Sequence, residues 1–417
     1  MSSPNPSRTR VQIPFFKPSL TEAETLEVLD TLRSGWLTTG EKVKRFETGF
    51  AAAVGARNAV AVNSCTAALH LAVEALGLDA GQAVLVPTMT FAATAEVVRY
   101  QDAVPILVDC DPKTLNLSIE DAMSKLDQLR SGRLVGVSKS LNRDTRAVGI
   151  IAVHVGGMMM QIDQLRDFAR QEGLWIVEDA AHAFPAAWRN TPIQPWQRCG
   201  EGTAAVSCFS FYANKTITTG EGGMAVTNNA GLASRMRMMS LHGLSQDAWD
   251  RYSTGGAWDY KIAAPGFKYN LTDIAASIGI HQLARAESMR KERENIARRY
   301  LEELADVKAV ELPPVDTNRI HSWHLFPIKL HLNRLAIDRN AFVEELKRRG
   351  VGCSVHWRPL HLHPYYEQAF GWQPESLPVA TAVWQRLISL PIFPGMNDSE
   401  LRHVVDSVAD ICGRYAR

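Results

Sequence analysis

Seven short runs of β-branched and other apolar residues alternate with helical patterns between residues 59 and 227. The runs are AVAV (59–62), AVLVP (83–87), VPILVD (104–109), VGIIAVHV (148–155), LWIVED (174–179), AAVSCFSF (204–211) and GMAVT (223–227). Strands of a parallel sheet have this nearly continuous apolar character because helices cover both faces of the sheet. The alternation therefore predicts an α/β fold in which a mainly parallel, seven-stranded sheet lies between helices.

The length of the chain predicts more than one packed unit. At 417 residues it exceeds the size at which a single hydrophobic core keeps growing. The densely charged segment 288–304 indicates an exposed connecting helix, and the patterns beyond it are typical of a smaller α+β domain. We therefore predict a flexible tail over residues 1–12, a large domain over 13–285 and a small C-terminal domain over 286–417.

Charge and cysteine content argue against several classes of function. Lys and Arg total 45 against 44 for Asp and Glu, so no net field attracts the chain to nucleic acid or to an anionic membrane. The six cysteines lack CxxC spacing, which argues against a disulfide framework and favours a reducing cytoplasm. The N-terminal sequence MSSPNPSRTR lacks the apolar core of a signal peptide. The histidines near 321–324 and 356–363 lack a Cys or carboxylate at familiar spacing, so no metal is expected.

Lys215 follows the sixth predicted strand, in SCFSFYANKTITTGEGG, and precedes a glycine-rich turn. A lysine that is partly desolvated at the edge of a sheet has a lowered pKa and forms an imine with an aldehyde, which a solvated ammonium does poorly. Spacing alone leaves open the alternative that Lys215 is a surface charge.

Asp179 ends the fifth predicted strand, at the carboxyl edge where open α/β sheets bind ligands. A buried carboxylate at that edge needs a cationic partner, and the protonated nitrogen of a pyridine ring is such a partner. The alternative is a helix N-cap, because Asp is a favoured capping residue.

The passage from strand to helix at VNSCTAALHLAVEAL (62–76) is a third signal. Backbone N–H groups at the start of a helix are unpaired and bind phosphate well. Ser210, five residues before Lys215, could add a hydroxyl to the same phosphate. A plain N-cap at Ser64 is the alternative.

Together and in this order, the segments resemble the sugar aminotransferases of the DegT/DnrJ/EryC1/StrS family. The resemblance runs from about residue 13 to 412 and includes SGWLTTG (34–40), PTMTFAATAE (87–96), EDAAHA (178–183), APGFKYNLTDIAASIG (264–279), WHLF (323–326) and VHWRPLHLHPYY (355–366). It implies the aspartate aminotransferase-like fold, fold type I, of enzymes that use pyridoxal 5′-phosphate (PLP), with pyridoxamine 5′-phosphate as the intermediate form of the cofactor. Within the family, HGL (242–244), PGFKYNLTDI and HSWHLF look closest to the aminotransferases that make UDP-4-amino-4-deoxy-L-arabinose.

The resemblance implies a role for each residue that would contact the cofactor ring. Lys215 is implied as the Schiff-base lysine, and Asp179 as the partner of the pyridine nitrogen. His182 is implied to contact the ring or its phenolic oxygen, where many relatives have glutamine. Phe91 is implied to stack on the exposed face of the ring, an arrangement that offset aromatic packing favours.

The resemblance also implies the phosphate and sugar contacts. Cys65, Thr66 and Ser210 would hold the phosphate, although much of the family has a small residue, often Gly, in place of Cys65. Asn270 of the partner subunit would reach the same phosphate, which implies a homodimer with a shared active site; a turn or cap before the following helix is the alternative. The residues implied to face the nucleotide sugar are Trp36, Thr38, His324, His356 and Arg358.

The implied reaction transfers an amino group from an amino acid to a nucleotide-linked keto sugar. The expected donor is L-glutamate, the expected acceptor is a UDP-4-keto sugar, and the expected pathway makes cell-surface polysaccharide or lipopolysaccharide. A PLP-dependent sugar dehydratase is the enzymatic alternative, but such an enzyme has histidine in place of Lys215. A regulatory protein that binds PLP or a sugar without turnover is an alternative of another class, because a fold does not fix a function.

Overall fold

The computed structural model describes residues 12–134, 141, 144–244 and 261–417. The tail predicted over residues 1–12 lies outside this part of the chain except for Gln12. Within the described residues, the helices are α1 (Glu22–Ser34), α2 (Glu41–Val54), α3 (Cys65–Ala75), α4 (Ala93–Arg99), α5 (Ile119–Arg130), α6 (Ile162–Glu172), α7 (Ala230–Met239), α8 (Asp273–Glu303), α9 (Arg339–Arg348), α10 (Pro364–Phe370), α11 (Pro378–Trp384) and α12 (Asp398–Arg414). The strands are β1 (Asn58–Val62), β2 (Ala83–Pro87), β3 (Val104–Val108), β4 (Ala147–Val153), β5 (Trp175–Asp179), β6 (Ala187–Trp188), β7 (Gln197–Arg198), β8 (Val206–Ser210), β9 (Gly223–Thr227), β10 (Val310–Glu311), β11 (Arg319–Ile320), β12 (Phe326–Leu330) and β13 (Leu387–Leu390).

The central sheet contains all seven predicted strands, in the order β1-β9-β8-β5-β4-β2-β3. The five strands from β8 to β3 pair in parallel, and β9 runs antiparallel between β1 and β8. Every residue of β2, β3 and β9 is buried, as expected for strands covered on both faces. The predicted α/β fold class is therefore confirmed, and the carboxyl ends of six strands meet at one edge of the sheet.

Aromatic packing fixes α2 against this sheet. Phe46 and Phe50 of α2 are fully buried and contact Phe211, while Phe50 also contacts Phe184 and Phe209. Aromatic pairs at such centroid distances add to the free energy of burial. The strand ends that carry the candidate site are therefore held by a rigid core.

Helix α8 differs from the connecting helix predicted over 288–304. It is one helix of 31 residues that begins at Asp273, so the predicted segment is only its second half. Gly279 does not interrupt the helix, and a Cβ at this position would lie 2.7 Å from the ring of Phe46. The glycine therefore allows the close approach of α8 to α2, which a pattern of charges cannot indicate.

The C-terminal part of the chain has its own core. The antiparallel sheet β10-β12-β13 packs with α9 and α12 around buried residues that include Tyr300, Phe326 and Phe342. Helix α8 runs without a break through residue 285, where the large domain is predicted to end. The position of this domain boundary stays a prediction. Among the described residues, no helix has both the length and the apolar character that a membrane span requires.

Candidate active site

A cavity of about 570 Å³ lies at the carboxyl edge of the central sheet. Its volume is in the range of ~300–1,000 Å³ that is usual for small-molecule sites. The structure brings together in its walls nine of the predicted residues: Cys65, Thr66, Phe91, Asp179, His182, Ser210, Lys215, His324 and His356. These residues come from six separate segments of the sequence, so their meeting depends on how the chain folds.

Lys215 lies in a turn after β8, where its backbone N–H donates to the carbonyl of Tyr212 at 2.9 Å. Its side chain is half-buried and lines the cavity, so it is not the surface charge of the alternative interpretation. Burial lowers the pKa of Lys215 to about 8, while Cys65 and Asp179 act in the opposite direction. At pH 7 roughly a tenth of the amine is therefore neutral and nucleophilic.

Asp179 is only 6% exposed at the end of β5. Its Oδ2 accepts a hydrogen bond from Thr94 Oγ1 at 2.8 Å and its Oδ1 accepts one from the backbone N–H of Ala181 at 3.2 Å. The described residues 180–186 contain no helix, so the N-cap interpretation of Asp179 is wrong. Burial raises the pKa of Asp179, and the two hydrogen bonds and the charge of Lys215 oppose that rise. In the part of the chain that the structure describes, no cation forms a salt bridge with this carboxylate.

The tautomer of His182 follows from its surroundings. Burial holds the pKa of His182 well below its usual value, and the charges of Lys215 and His356 act in the same direction, so the ring is neutral. Its Nδ1 accepts a hydrogen bond from the backbone N–H of Gly156 at 3.3 Å, which leaves the proton on Nε2. The ring is held between Trp357, stacked at 5.1 Å, and His324, at 4.2 Å between centroids. His182 therefore presents an N–H donor at Nε2.

The start of α3 forms the side of the cavity predicted to hold phosphate. Ser64 Oγ accepts from the N–H of Ala67 at 3.1 Å, so the N-cap interpretation is right for that side chain. The first intrahelical bond, from Ala68 N–H to Ser64 O, comes after the amides of Cys65 and Thr66. The Cys65 thiol donates toward the carbonyl of Cys208, at 3.6 Å, so the group that Cys65 can offer to a phosphate is its backbone N–H.

Gly223, the first residue of β9, allows a close approach to the start of α3. A Cβ there would lie 2.4 Å from the carbonyl carbon of Ser64. Ser210, at the end of the adjacent strand β8, lines the same cavity. The end of β8, the start of β9 and the start of α3 thus form one small polar cradle.

Four predicted residues lie outside the cavity walls of this chain. Trp36 donates from Nε1 to the carbonyl of Thr39, and the carbonyl of exposed Thr38 accepts from the N–H of Asp273. Arg358 is exposed and donates to the carbonyl of Leu362. The sugar-binding roles of these three residues stay predictions.

Asn270 lies beside the end of β1 and donates from Nδ2 to Thr39 Oγ1 at 2.8 Å. The cap of α8 is Thr272, whose hydroxyl accepts from the N–H of Ala275, so the capping interpretation of Asn270 is wrong. Its predicted contact with the phosphate of a partner subunit stays a prediction.

Sequence reasoning did not single out Thr94, Trp357 or the buried group behind the cavity. Thr90 and Thr94 are four residues apart after β2, and this spacing could have indicated two hydroxyls on one side of a turn. The stacking of Trp357 on His182 joins distant segments and has no local signal.

The buried group behind the cavity contains His154, Glu178 and Cys199, whose metal-type donor atoms lie within 4.8 Å of one another. Glu178 Oε1 pairs with His154 Nε2 at 3.2 Å, and Oε2 accepts from the hydroxyls of Thr203 and Ser207, at 2.5 Å each. Hydrogen bonds therefore already satisfy this carboxylate without an ion.

Comparison with known proteins gives a consistent family. The family model of the DegT/DnrJ/EryC1/StrS aminotransferases matches residues 18–409. The uncharacterized protein MJ1066 of Methanocaldococcus jannaschii is 42% identical over 96% of this chain and 97% of its own length. The spore coat polysaccharide biosynthesis protein SpsC of Bacillus subtilis is 38% identical over the same shares.

Solved structures agree with this relationship. The putative sugar aminotransferase Spr1654 of Streptococcus pneumoniae, in its PLP form, has a TM-score of 0.83 and 29% identity, covering 97% of this chain and 99% of the other. Its PMP form has a TM-score of 0.85, covering 97% and 100%.

The residues of the cavity fit PLP. A half-buried amine, a buried carboxylate without a cation and a polar cradle of backbone amides match the aldehyde, the pyridinium nitrogen and the phosphate of one molecule. The match of the family model covers most of the chain, and the chain therefore belongs to the DegT/DnrJ/EryC1/StrS aminotransferase family of PLP-dependent enzymes.

Proposed function

We propose that the enzyme transfers an amino group from L-glutamate to a nucleotide-linked keto sugar, at C4 of a UDP-linked pentose or 6-deoxyhexose. The observation that carries the proposal is the convergence of Lys215, Asp179 and His182 on one cavity, with the pKa of Lys215 lowered to about 8. The name of the relative SpsC, a polysaccharide biosynthesis protein, supports a pathway that makes cell-surface polysaccharide or lipopolysaccharide.

PLP, when bound, supplies an aldehyde that condenses with amines and a protonated ring that withdraws electrons from the reacting carbon. Lys215 Nζ would hold the aldehyde in the resting enzyme. Once freed, the same Nζ would take the proton from the α-carbon of glutamate and pass it to the cofactor, and in the second half-reaction it would take a proton back from the cofactor and deliver it to the sugar carbon. Asp179 would hold the ring nitrogen protonated, and His182 would donate from Nε2 to the phenolic oxygen.

We propose that the enzyme works as a homodimer in which Asn270 of the partner subunit completes the phosphate site. Leu26, Leu29 and Leu32 are exposed along α1, and Trp36 and Leu37 continue this apolar surface toward the loop that contacts Asn270. An exposed apolar surface of this kind is typical of an interface between subunits. Six free cysteines support a location in the cytoplasm, where thiols stay reduced.

A spectroscopic half-reaction tests the proposed acceptor. The enzyme is converted to its pyridoxamine form with glutamate, freed of keto acid, and mixed with UDP-, GDP- or dTDP-linked 4-keto sugars or with the corresponding 3-keto sugars. The expected result is return of the PLP absorbance with UDP-4-keto sugars and little return with the others. A response confined to 3-keto sugars contradicts the C4 assignment, and no response to glutamate contradicts the donor.

A further inference from the structure

The Asp179 carboxylate is joined to two threonines that no part of the mechanism above uses. Thr94 Oγ1 donates to Asp179 Oδ2 at 2.8 Å, and Thr90 Oγ1 lies 2.7 Å from Thr94 Oγ1. Asp179, Thr90 and Thr94 are 6%, 2% and 0% exposed, so water does not compete for these bonds. The three groups therefore form a buried chain of hydrogen bonds that ends at the carboxylate.

The direction of this chain follows from the chemistry of its members. An ionised carboxylate only accepts hydrogen bonds, so the single hydroxyl proton of Thr94 is donated to Asp179. Thr94 Oγ1 can then only accept from Thr90, whose proton points toward Thr94. Both bonds stabilise the charged form of the carboxylate, and successive bonds of this kind polarise one another.

We propose that Thr94, supported by Thr90, is a positioning residue that keeps Asp179 ionised and aimed at the pyridine nitrogen of PLP. The proposal rests on the role proposed above for Asp179. The titratable groups that act on this carboxylate or are acted on by it are Lys215, His154, Cys65 and Cys208. None of these groups donates a hydrogen bond to Asp179 among the described residues, whereas Thr94 does.

The binding of PLP to the full-length apoprotein tests the proposal without a turnover assay. In Thr94→Val the dissociation constant of PLP is expected to rise at least about tenfold, because a hydrogen bond to a charged group contributes ~1.5–3 kcal/mol. Thr94→Ser keeps the hydroxyl and is expected to restore most of the affinity. Thr88→Val is the matched control, since Thr88 is also fully buried after β2 but its hydroxyl bonds His361 at 2.8 Å, outside the cavity. Its PLP affinity is expected to stay near the wild-type value.

The pH dependence of the dissociation constant separates positioning from general damage. Without the Thr94 hydroxyl the pKa of Asp179 rises further, so in Thr94→Val the acid limb of PLP affinity is expected to move to higher pH. An unmoved acid limb, or an equal loss of affinity in Thr88→Val, overturns the proposal. If Thr94→Val does not fold, Thr90→Val takes its place. The dissociation constant of PLP is then expected to rise roughly threefold, because Thr90 acts on Asp179 only through Thr94. Unchanged PLP affinity in Thr90→Val overturns the proposal.

Asp179→Asn, measured in parallel, tells which idea has failed. If Asp179→Asn binds PLP as tightly as the wild type, the role proposed for Asp179 itself is wrong. If it binds weakly while Thr94→Val binds normally, only the threonine chain is wrong.

Discussion

Glu178 and Asp179 are consecutive carboxylates of β5, and they point to opposite faces of the central sheet. Both are buried, at 0% and 6% exposure, yet their surroundings differ. Although burial alone raises the pKa of Glu178, its hydrogen bonds with His154, Ser207 and Thr203 outweigh burial and lower that pKa. Around Asp179 burial prevails, and the pKa is raised.

The difference separates a carboxylate that stabilises the fold from one that is prepared for a ligand. Glu178 has four polar neighbours within the chain and needs nothing from outside. Asp179 has two hydrogen-bond donors and faces the cavity, so its charge is only partly compensated until a cation binds. Replacing each acid by its amide tests this contrast directly.

Asp179→Asn is expected to have the largest effect, on catalysis. Loss of the charge that we propose to hold the ring nitrogen protonated should lower kcat/KM for transamination by roughly 10²–10³-fold, as for other electrostatic groups in active sites. Stopped-flow absorbance of the glutamate half-reaction measures this loss.

The stability of the Asp179→Asn apoprotein is expected to move in the opposite direction. The raised pKa means that the ionised carboxylate costs folding free energy, so the apo variant should unfold at higher urea concentration than the wild type at pH 7. The gain in the free energy of unfolding is complete at a pH above the folded-state pKa of Asp179 and vanishes at a pH below its ordinary pKa of 3.8. Normal turnover together with reduced apo stability would show that Asp179 is a structural residue.

Glu178→Gln is expected to damage the fold instead. The amide cannot pair with His154 and still accept from both hydroxyls, and breaking a buried pair costs about 3 kcal/mol or more. Urea unfolding at pH 7 measures the cost, which should shrink as the pH falls below the ordinary Glu pKa of 4.5, because the unfolded chain then takes up a proton that the folded wild-type carboxylate, with its lowered pKa, takes up only at lower pH. The folded variant should bind PLP nearly as the wild type does. Loss of PLP binding without loss of stability would mean that Glu178, too, serves the ligand rather than the fold.

His182 sharpens the contrast on the cavity side, since its proposed contribution is one N–H donor. His182→Leu removes the donor and should slow the half-reaction by roughly 10- to 100-fold, the equivalent of a ~1.5–3 kcal/mol hydrogen bond to a charged group. His182→Gln keeps a donor and should lose much less. Equal rates for the two variants would mean that shape, not the hydrogen bond donated by Nε2, determines the contribution of this residue.

The sequence predicted the residues of the cavity better than it predicted their partners. Asp179 ends β5 and Lys215 follows the end of β8, and strand ends are visible as local patterns. The bond from Thr94 to Asp179 joins residues 85 positions apart. No local sequence pattern around either residue indicates that the two side chains meet. The same limit explains α8, because the contact of Gly279 with Phe46 depends on how two helices pack.

Lys215 offers the finest test of the two carboxylates, because its pKa depends on one of them. Capture of PLP by the apoprotein needs the neutral amine, so its rate should rise with pH through a midpoint near the Lys215 pKa of about 8. The charge of Asp179 raises that pKa, and Asp179→Asn should therefore lower the midpoint, by less than about one pH unit. Glu178→Gln should leave the midpoint in place, because Glu178 lies on the other face of the sheet and does not act on Lys215. PLP itself is the same in all three measurements, so the shift between variants reports the protein alone. An equal shift in both variants would mean that the sheet does not separate the two charges.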